Sequence, residues 1–243
     1  MSRRALADLI GIELNTSSHA EKMISGIGAF LAILAIYKIN QMMLGDDAYL
    51  VVASMGAAAV LLFAVPHGPL SQPWPLFGGN LISAAVGVAC AQFIPDIFIA
   101  AAVAVGISVT AMYYLKCIHP PGGATALSAV VGGQAVEALG FQYIITPVLL
   151  NVLVIFAVAV LCNFLFKWRR YPAKLVKIEK IEASLTGQLS GPSSDGIEYA
   201  LREMDSFIDV SEADLQRIYQ LANAFDSRES DKRGAGNKRD KGI

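Results

Sequence analysis

Between Met23 and Phe166 the chain carries six formal charges, Lys38, Asp46, Asp47, Asp96, Lys116 and Glu137. A stretch this long and this poor in charge cannot cover its surface with polar groups in water. The bilayer is the solvent it suits. From Lys167 onward the pattern reverses, with 14 of the 19 basic and 13 of the 20 acidic residues. The net charge of -1 therefore averages two unlike parts, and nothing in it asks for a nucleic-acid partner.

Six apolar segments can be drawn within the charge-poor stretch, at about 23–43, 48–65, 76–94, 96–115, 121–138 and 143–166. A helix needs roughly 20 residues to cross the hydrocarbon. The second and fifth segments are at the short end. Six full crossings, or four with two shorter or re-entrant pieces, both satisfy the pattern. Either way the expected fold is all-α: a polytopic helical membrane protein with about six inserted segments, plus a cytoplasmic helical hairpin. With six crossings, every Lys and Arg except Lys38 falls on one side, which the positive-inside rule makes cytoplasmic. Lys38 is expected to snorkel to the headgroups. Tyr37, Tyr49, Tyr113, Tyr114, Tyr143 and Trp168 fall near span ends as interfacial aromatics. The expected location is a bacterial-type inner membrane, with both termini cytoplasmic. The first 22 residues lack an apolar run followed by a small-residue cleavage site, so no cleaved signal peptide is expected.

The expected organisation is an N-terminal cytoplasmic or interfacial segment (1–22), a transmembrane domain (23–168), a cytoplasmic helical tail (169–226) and a disordered end (227–243). In the tail, Leu175, Ile178, Ile181 and Leu185 make an apolar stripe, and "GPSS" at 191–194 ends it. Asp195 with Glu198, and Ser211 with Asp214, then open the two helices of a hairpin. Cys90, Cys117 and Cys162 have no paired spacing and read as reduced thiols.

The transmembrane domain contains a repeat. "GGNLISAAVG" (78–87) aligns without gaps to "GATALSAVVG" (123–132), and each copy follows a loop containing His and Pro. Small residues recur every four positions, Gly79, Ser83, Gly87 and Ala124, Ser128, Gly132. Such stripes let helices approach closely in lipid. If the repeat is genuine, its copies run parallel and both loops lie on one side.

The second loop, "KCIHPPGGATAL" (116–127), gathers the domain's unusual residues. Pro121 fits a first helical turn, where its missing N–H is no loss. Gly122 and Gly123 permit close backbone approach. Free N–H groups at Gly122, Gly123, Ala124 and Thr125 would suit a small anion at a helix N-terminus. Lys116 and His119 precede that end, and the Thr125 hydroxyl lies one turn in. The first loop offers His67, Ser71 and Gln72, then Asn80 after Gly78 and Gly79. The candidate substrate-binding set is His119, Gly122, Gly123, Thr125, His67, Asn80 and Lys116. Each has a plainer reading. In it the Pro-Pro-Gly-Gly run is only a tight connection, the histidines are structural residues, Lys116 is a topology determinant, and Thr125 bonds back to its own helix. No HExxH, GxSxG or Walker pattern occurs, so neither an enzyme, a metal nor a cofactor is expected.

"HPPGGATAL" at His119–Leu127, together with "SMGAAAVLLFAVPHGPLSQPWPLFGGNLISAAVGV" at Ser54–Val88, resembles the HPP family of integral membrane proteins. The resemblance spans most of residues 24–168. It implies a compact helical membrane domain, usually described as four-spanning, and an association with nitrite transport in plastid and cyanobacterial members. Many members read "SxGASAVLLF" where this chain has Ala58, which removes one hydroxyl. The segment "IEYALREMDSFIDVSEADLQRIYQLA" resembles the linker that precedes CBS domains in some bacterial members; the sequence ends after it, so no such sensor is expected. The expected function is a transporter or channel for a small inorganic anion, with nitrite first among formate, nitrate, chloride and bicarbonate. The alternative is a membrane-anchored scaffold or regulatory module acting through its tail hairpin. Besides the anion and the lipid bilayer, the expected partner is a second copy of the chain, a homo-oligomer with a dimer favoured.

Overall fold

The computed structural model describes residues 18–45 and 48–173, together with Leu215, Ile218 and Tyr219. The N-terminal residues 1–17, the tail hairpin and the charged end lie outside the described residues, as do Asp46 and Asp47. Seven α-helices are described: α1 (His19–Leu44), α2 (Ala48–Ala64), α3 (Asn80–Phe93), α4 (Ile97–Tyr114), α5 (Pro120–Val131), α6 (Gly133–Leu139) and α7 (Leu150–Phe164). A wider π-helical turn, Pro75–Gly79, leads directly into α3, and another, Ile144–Leu149, leads into α7. No strand occurs among the described residues.

Four helices are long and apolar enough to cross a membrane: His19–Met43, Pro75–Phe93, Ile97–Tyr114 and Ile144–Phe164. The second and fifth expected segments stay short. α2 has 17 residues, Ala48–Ala64. The fifth segment divides where Gly133 takes a positive φ of 78°, separating α5 from α6. The result is an all-α polytopic membrane protein with four helices long enough to span and two shorter segments, the second of them divided into α5 and α6. Its exposed surface is apolar: Phe98 on α4, for example, is 83% exposed, which suits lipid rather than water.

The starts and stops follow from local chemistry. Ser18 caps α1 by accepting from the Glu21 N–H at 3.1 Å. Asp96 caps α4 by accepting from the N–H groups of Phe98 and Ile99, both at 2.9 Å. α4 ends in a Schellman turn: Cys117 N–H donates to Met112 O at 2.9 Å and Lys116 N–H to Tyr113 O at 3.2 Å. Lys116 occupies the left-handed position of that turn, with φ 54°, where glycine is the usual residue.

Helices α1, α2 and α7 pack as one group and α3, α4 and α5 as another, with α2 against α5 joining them. The most extensive pairing is α3 with α5. The Gly79–Ser83–Gly87 stripe of α3 makes this contact, as its spacing leads one to expect. A Cβ on Gly87 would lie 2.6 Å from Ala126 O, and one on Gly122 would lie 2.7 Å from Gly79 O. On α5, however, the contact runs through Gly122, Ala126 and Ala129, not the expected stripe of Ala124, Ser128 and Gly132. The close approach uses a second small-residue face of α5, formed by Gly122, Ala126 and Ala129.

The two ends of the domain are tied together. Arg169, 1% exposed, donates to the Glu21 carboxylate, to Asn163 Oδ1 at 3.1 Å, to Ser25 Oγ at 3.2 Å and to Phe63 O at 2.5 Å. Trp168 Nε1–H donates to the other Glu21 oxygen at 3.0 Å. A guanidinium this buried is tolerable because its donors are matched. The latch brings the start of α1, the end of α2 and the end of α7 to one face of the bundle.

Candidate functional site

That same face holds both His-and-Pro loops. The first runs from Val65 to the π-helical turn at Pro75 and is organised by side chains reaching back to its own carbonyls. Ser71 Oγ donates to Val65 O at 2.8 Å or Leu61 O at 3.0 Å. Gln72 Nε2 donates to Gly68 O at 3.0 Å and Pro66 O at 3.1 Å. The segment after Arg169 then lies across this loop as a strap. His67 Nε2–H donates to Arg170 O at 3.2 Å, the Tyr171 hydroxyl to Ser71 O at 2.7 Å, and the Ala173 N–H to Gln72 Oε1 at 3.1 Å. Tyr171 is fully buried and packs edge-on against Phe156.

The second loop is shorter and reaches into the first. His119, 0% exposed, is the N-cap of α5 and sits on Gly79; a Cβ there would lie 2.5 Å from His119 Cβ. Its Nδ1 lies 2.9 Å from Leu70 O. A carbonyl only accepts, so Nδ1 carries the proton and Nε2 is left as a bare acceptor. Nε2 is buried and has no hydrogen-bond partner among the described residues. Burial pushes the imidazole down to about 4, outweighing the Leu70 hydrogen bond that raises it. The ring is therefore neutral at neutral pH.

Thr125 and Asn80 occupy matching positions of the repeat, and they meet. Thr125 Oγ1 donates to Asn80 Oδ1 at 2.7 Å, with Pro121 O a second acceptor at 3.2 Å. Asn80 Nδ2 donates to Leu76 O at 2.8 Å, a carbonyl of the π-helical turn. The Tyr143 hydroxyl donates to Thr125 O at 3.3 Å. Tyr143 is 1% exposed, so it is a core residue rather than the interfacial aromatic expected.

The helix N-terminus differs from the expectation. Free N–H groups were expected at Gly122, Gly123, Ala124 and Thr125. α5 begins at Pro120, one residue before the expected proline, so two prolines fill the positions whose N–H groups a helix leaves unpaired. The Gly122 N–H donates to His119 O at 2.8 Å. With two prolines and this bond, fewer free N–H groups stand at the start of α5 than expected. Gly122 is the glycine of close approach, whereas a Cβ on Gly123 would meet nothing within 4 Å.

Of the seven candidates, the structure brings His119, Gly122, Thr125 and Asn80 together in the buried seam between α3 and α5. His67 is half-buried on the strap side, Gly123 is half-buried, and Lys116 is exposed. Several polar residues escaped the sequence reading: Arg169 and Tyr171 of the latch and strap, and Asn40, Asn151 and Asn163 within the apolar runs. The side-chain amides of Asn40 and Asn151 and the Ser108 hydroxyl are buried without a partner among the described residues. An asparagine interrupting an apolar span was the available signal.

A family model described as HPP, transmembrane region, matches residues 14–172. Two transmembrane proteins of Dictyostelium discoideum are similar to the chain. One is 34% identical over 153 residues, covering 61% of this chain and 49% of its own length. The other is 34% identical over 151 residues, covering 60% of this chain and 53% of its own length. The chain thus spans about half the length of the curated relatives it matches. No solved structure matches it.

Proposed function

We propose that this chain, which belongs to the HPP transmembrane family, is a transporter or channel for a small inorganic anion. The observation that carries the reading is the polar seam of His119, Asn80 and Thr125, fully buried between two small-residue helices at the meeting of both loops. Polar groups inside a membrane domain are costly and tend to mark solute paths. The unpartnered amides of Asn40 and Asn151 extend the polar interior along α1 and α7. On the loop face, Lys116, Lys167 and Trp168 are exposed, and the two lysines would draw anions to the mouth. Nitrite is the first candidate, because the family resemblance carries that association in plastid and cyanobacterial members.

The loop face is taken as cytoplasmic, in a bacterial-type inner membrane, from the Lys and Arg excess on that side. A homodimer is the favoured assembly. The reading is tested with purified protein in liposomes: nitrite should enter faster than into empty vesicles, with formate, nitrate and chloride run in parallel. Flux no faster than in empty vesicles for every one of these anions would end it.

A further inference from the structure

His119 sits at the centre of the seam with one ring nitrogen engaged and the other open. Its proton is on Nδ1, held by Leu70 O, so Nε2 presents only a lone pair. An unmatched buried acceptor is destabilising, and a donor arriving at that atom would relieve the cost. The surroundings offer a bare anion little. Pro120 and Pro121 carry no N–H, the Gly122 N–H is given to His119 O, the Thr125 hydroxyl is given to Asn80 Oδ1, and the one fully buried cation among the described residues, Arg169, is held by Glu21, Asn163, Ser25 and Phe63 O. A lone pair repels an anion and attracts a hydrogen-bond donor.

We propose, building on the transport reading, that Nε2 of His119 receives a hydroxyl brought by the solute, so that a small oxyacid passes this point in its undissociated form. The step balances simply. The anion takes one proton from the solution on the entry side, its O–H donates to Nε2 without breaking, and the acid releases the proton on the exit side. One anion and one proton cross together and no net charge moves. The titratable groups on the surrounding segments are Lys116 and Cys117 on the same loop, His67 on the loop that supplies Leu70, Tyr171 on the strap and Tyr143 beyond α5. None of them hydrogen-bonds to His119.

The test uses the full chain in liposomes with a trapped pH dye, a potassium–valinomycin voltage clamp, and nitrite or formate as the solute. Entry above the empty-vesicle rate should acidify the lumen and should not respond to an inside-positive potential. H119N should melt like the parent and carry either solute at least tenfold more slowly, because an asparagine amide can replace the Nδ1 donor but offers no acceptor at the Nε2 position. Entry that accelerates with inside-positive potential means that the bare anion crosses; this inference then fails while the transport reading stands. H119N flux at the parental rate overturns it too, and leaves Nε2 to a water molecule. The voltage measurement is made on the parent protein, so it decides the matter even if H119N does not fold. If neither solute enters faster than into empty vesicles, the transport reading fails and this inference fails with it.

Discussion

The two His-and-Pro loops lie on the same face and precede matching helices, yet they are held in opposite ways. The first is anchored from far along the chain: His67, Ser71 and Gln72 all bond to the strap at Arg170–Ala173, which the Arg169 latch fixes in turn. The second is built from its own neighbours: a Schellman turn through Lys116, an N-cap at His119 and two prolines. Two long-range bonds join them, His119 Nδ1–H to Leu70 O and, at the entry to the second loop, Trp74 Nε1–H to Leu115 O. The locally built loop thus supplies the chemistry, and the remotely held loop sets where that chemistry points.

The sharpest way to break this comparison is Arg169→Leu. Removing one member of a buried charged pair costs about 3–5 kcal/mol, with the lower end expected here because Glu21 is 26% exposed. The thermal midpoint in detergent should fall steeply, and cysteine labelling at position 67 should rise far more than at position 118. Equal labelling at both would show that the loops are not held differently.

Acid pH probes the second loop alone. The folded value for His119, about 4, lies below the ordinary 6.5, so burial of the neutral ring favours folding fully above pH 6.5. As the pH falls from 6.5 towards 4, the unfolded chain gains a proton that the folded one refuses, and up to roughly 3 kcal/mol is lost. Melting temperatures of the parent and H119N, alike at neutral pH, should therefore separate as the pH is lowered through this window, with the parent falling below H119N. Parallel curves would mean that the ring is not buried neutral.

Neighbouring glycines give a smaller contrast. Gly122→Ala drives a Cβ towards Gly79 O and Ser83 Oγ and should cost about 1–3 kcal/mol, whereas Gly123→Ala should stay within about 0.5 kcal/mol. The smallest effect has the opposite sign. Lys116→Gly relieves the left-handed φ of 54° and should stabilise by about 1 kcal/mol in the same melting assay. A loss of stability instead would show that the lysine side chain contributes to the turn.

Much of the architecture was legible beforehand because it rests on local properties. The lengths of the apolar runs gave four long and two short segments, and the alternation of those runs put both loops on one face. The α3 stripe of Gly79, Ser83 and Gly87 was visible from its spacing. So was the importance of His119, Gly122, Asn80 and Thr125, which the structure gathers in one seam, although their transport role is a proposal. The α5 stripe was misread because α5 carries two faces of small residues, and the one that meets α3 is Gly122, Ala126 and Ala129. Arg169 was counted as one of many tail cations, since nothing in its neighbours indicates that Glu21, 148 positions earlier, would receive it.

By itself, then, the sequence determined the solvent, the helical class and the long apolar runs, because hydrophobicity and chain stiffness act over a few turns. Only the tertiary structure decided which donors remain free. Two prolines and a turn removed backbone N–H groups from the start of α5, and a carbonyl 49 residues away fixed the tautomer of His119. Hydrogen bonds saturate and have direction, so a loop rich in polar groups becomes a donor site or an acceptor site according to what distant segments have already taken.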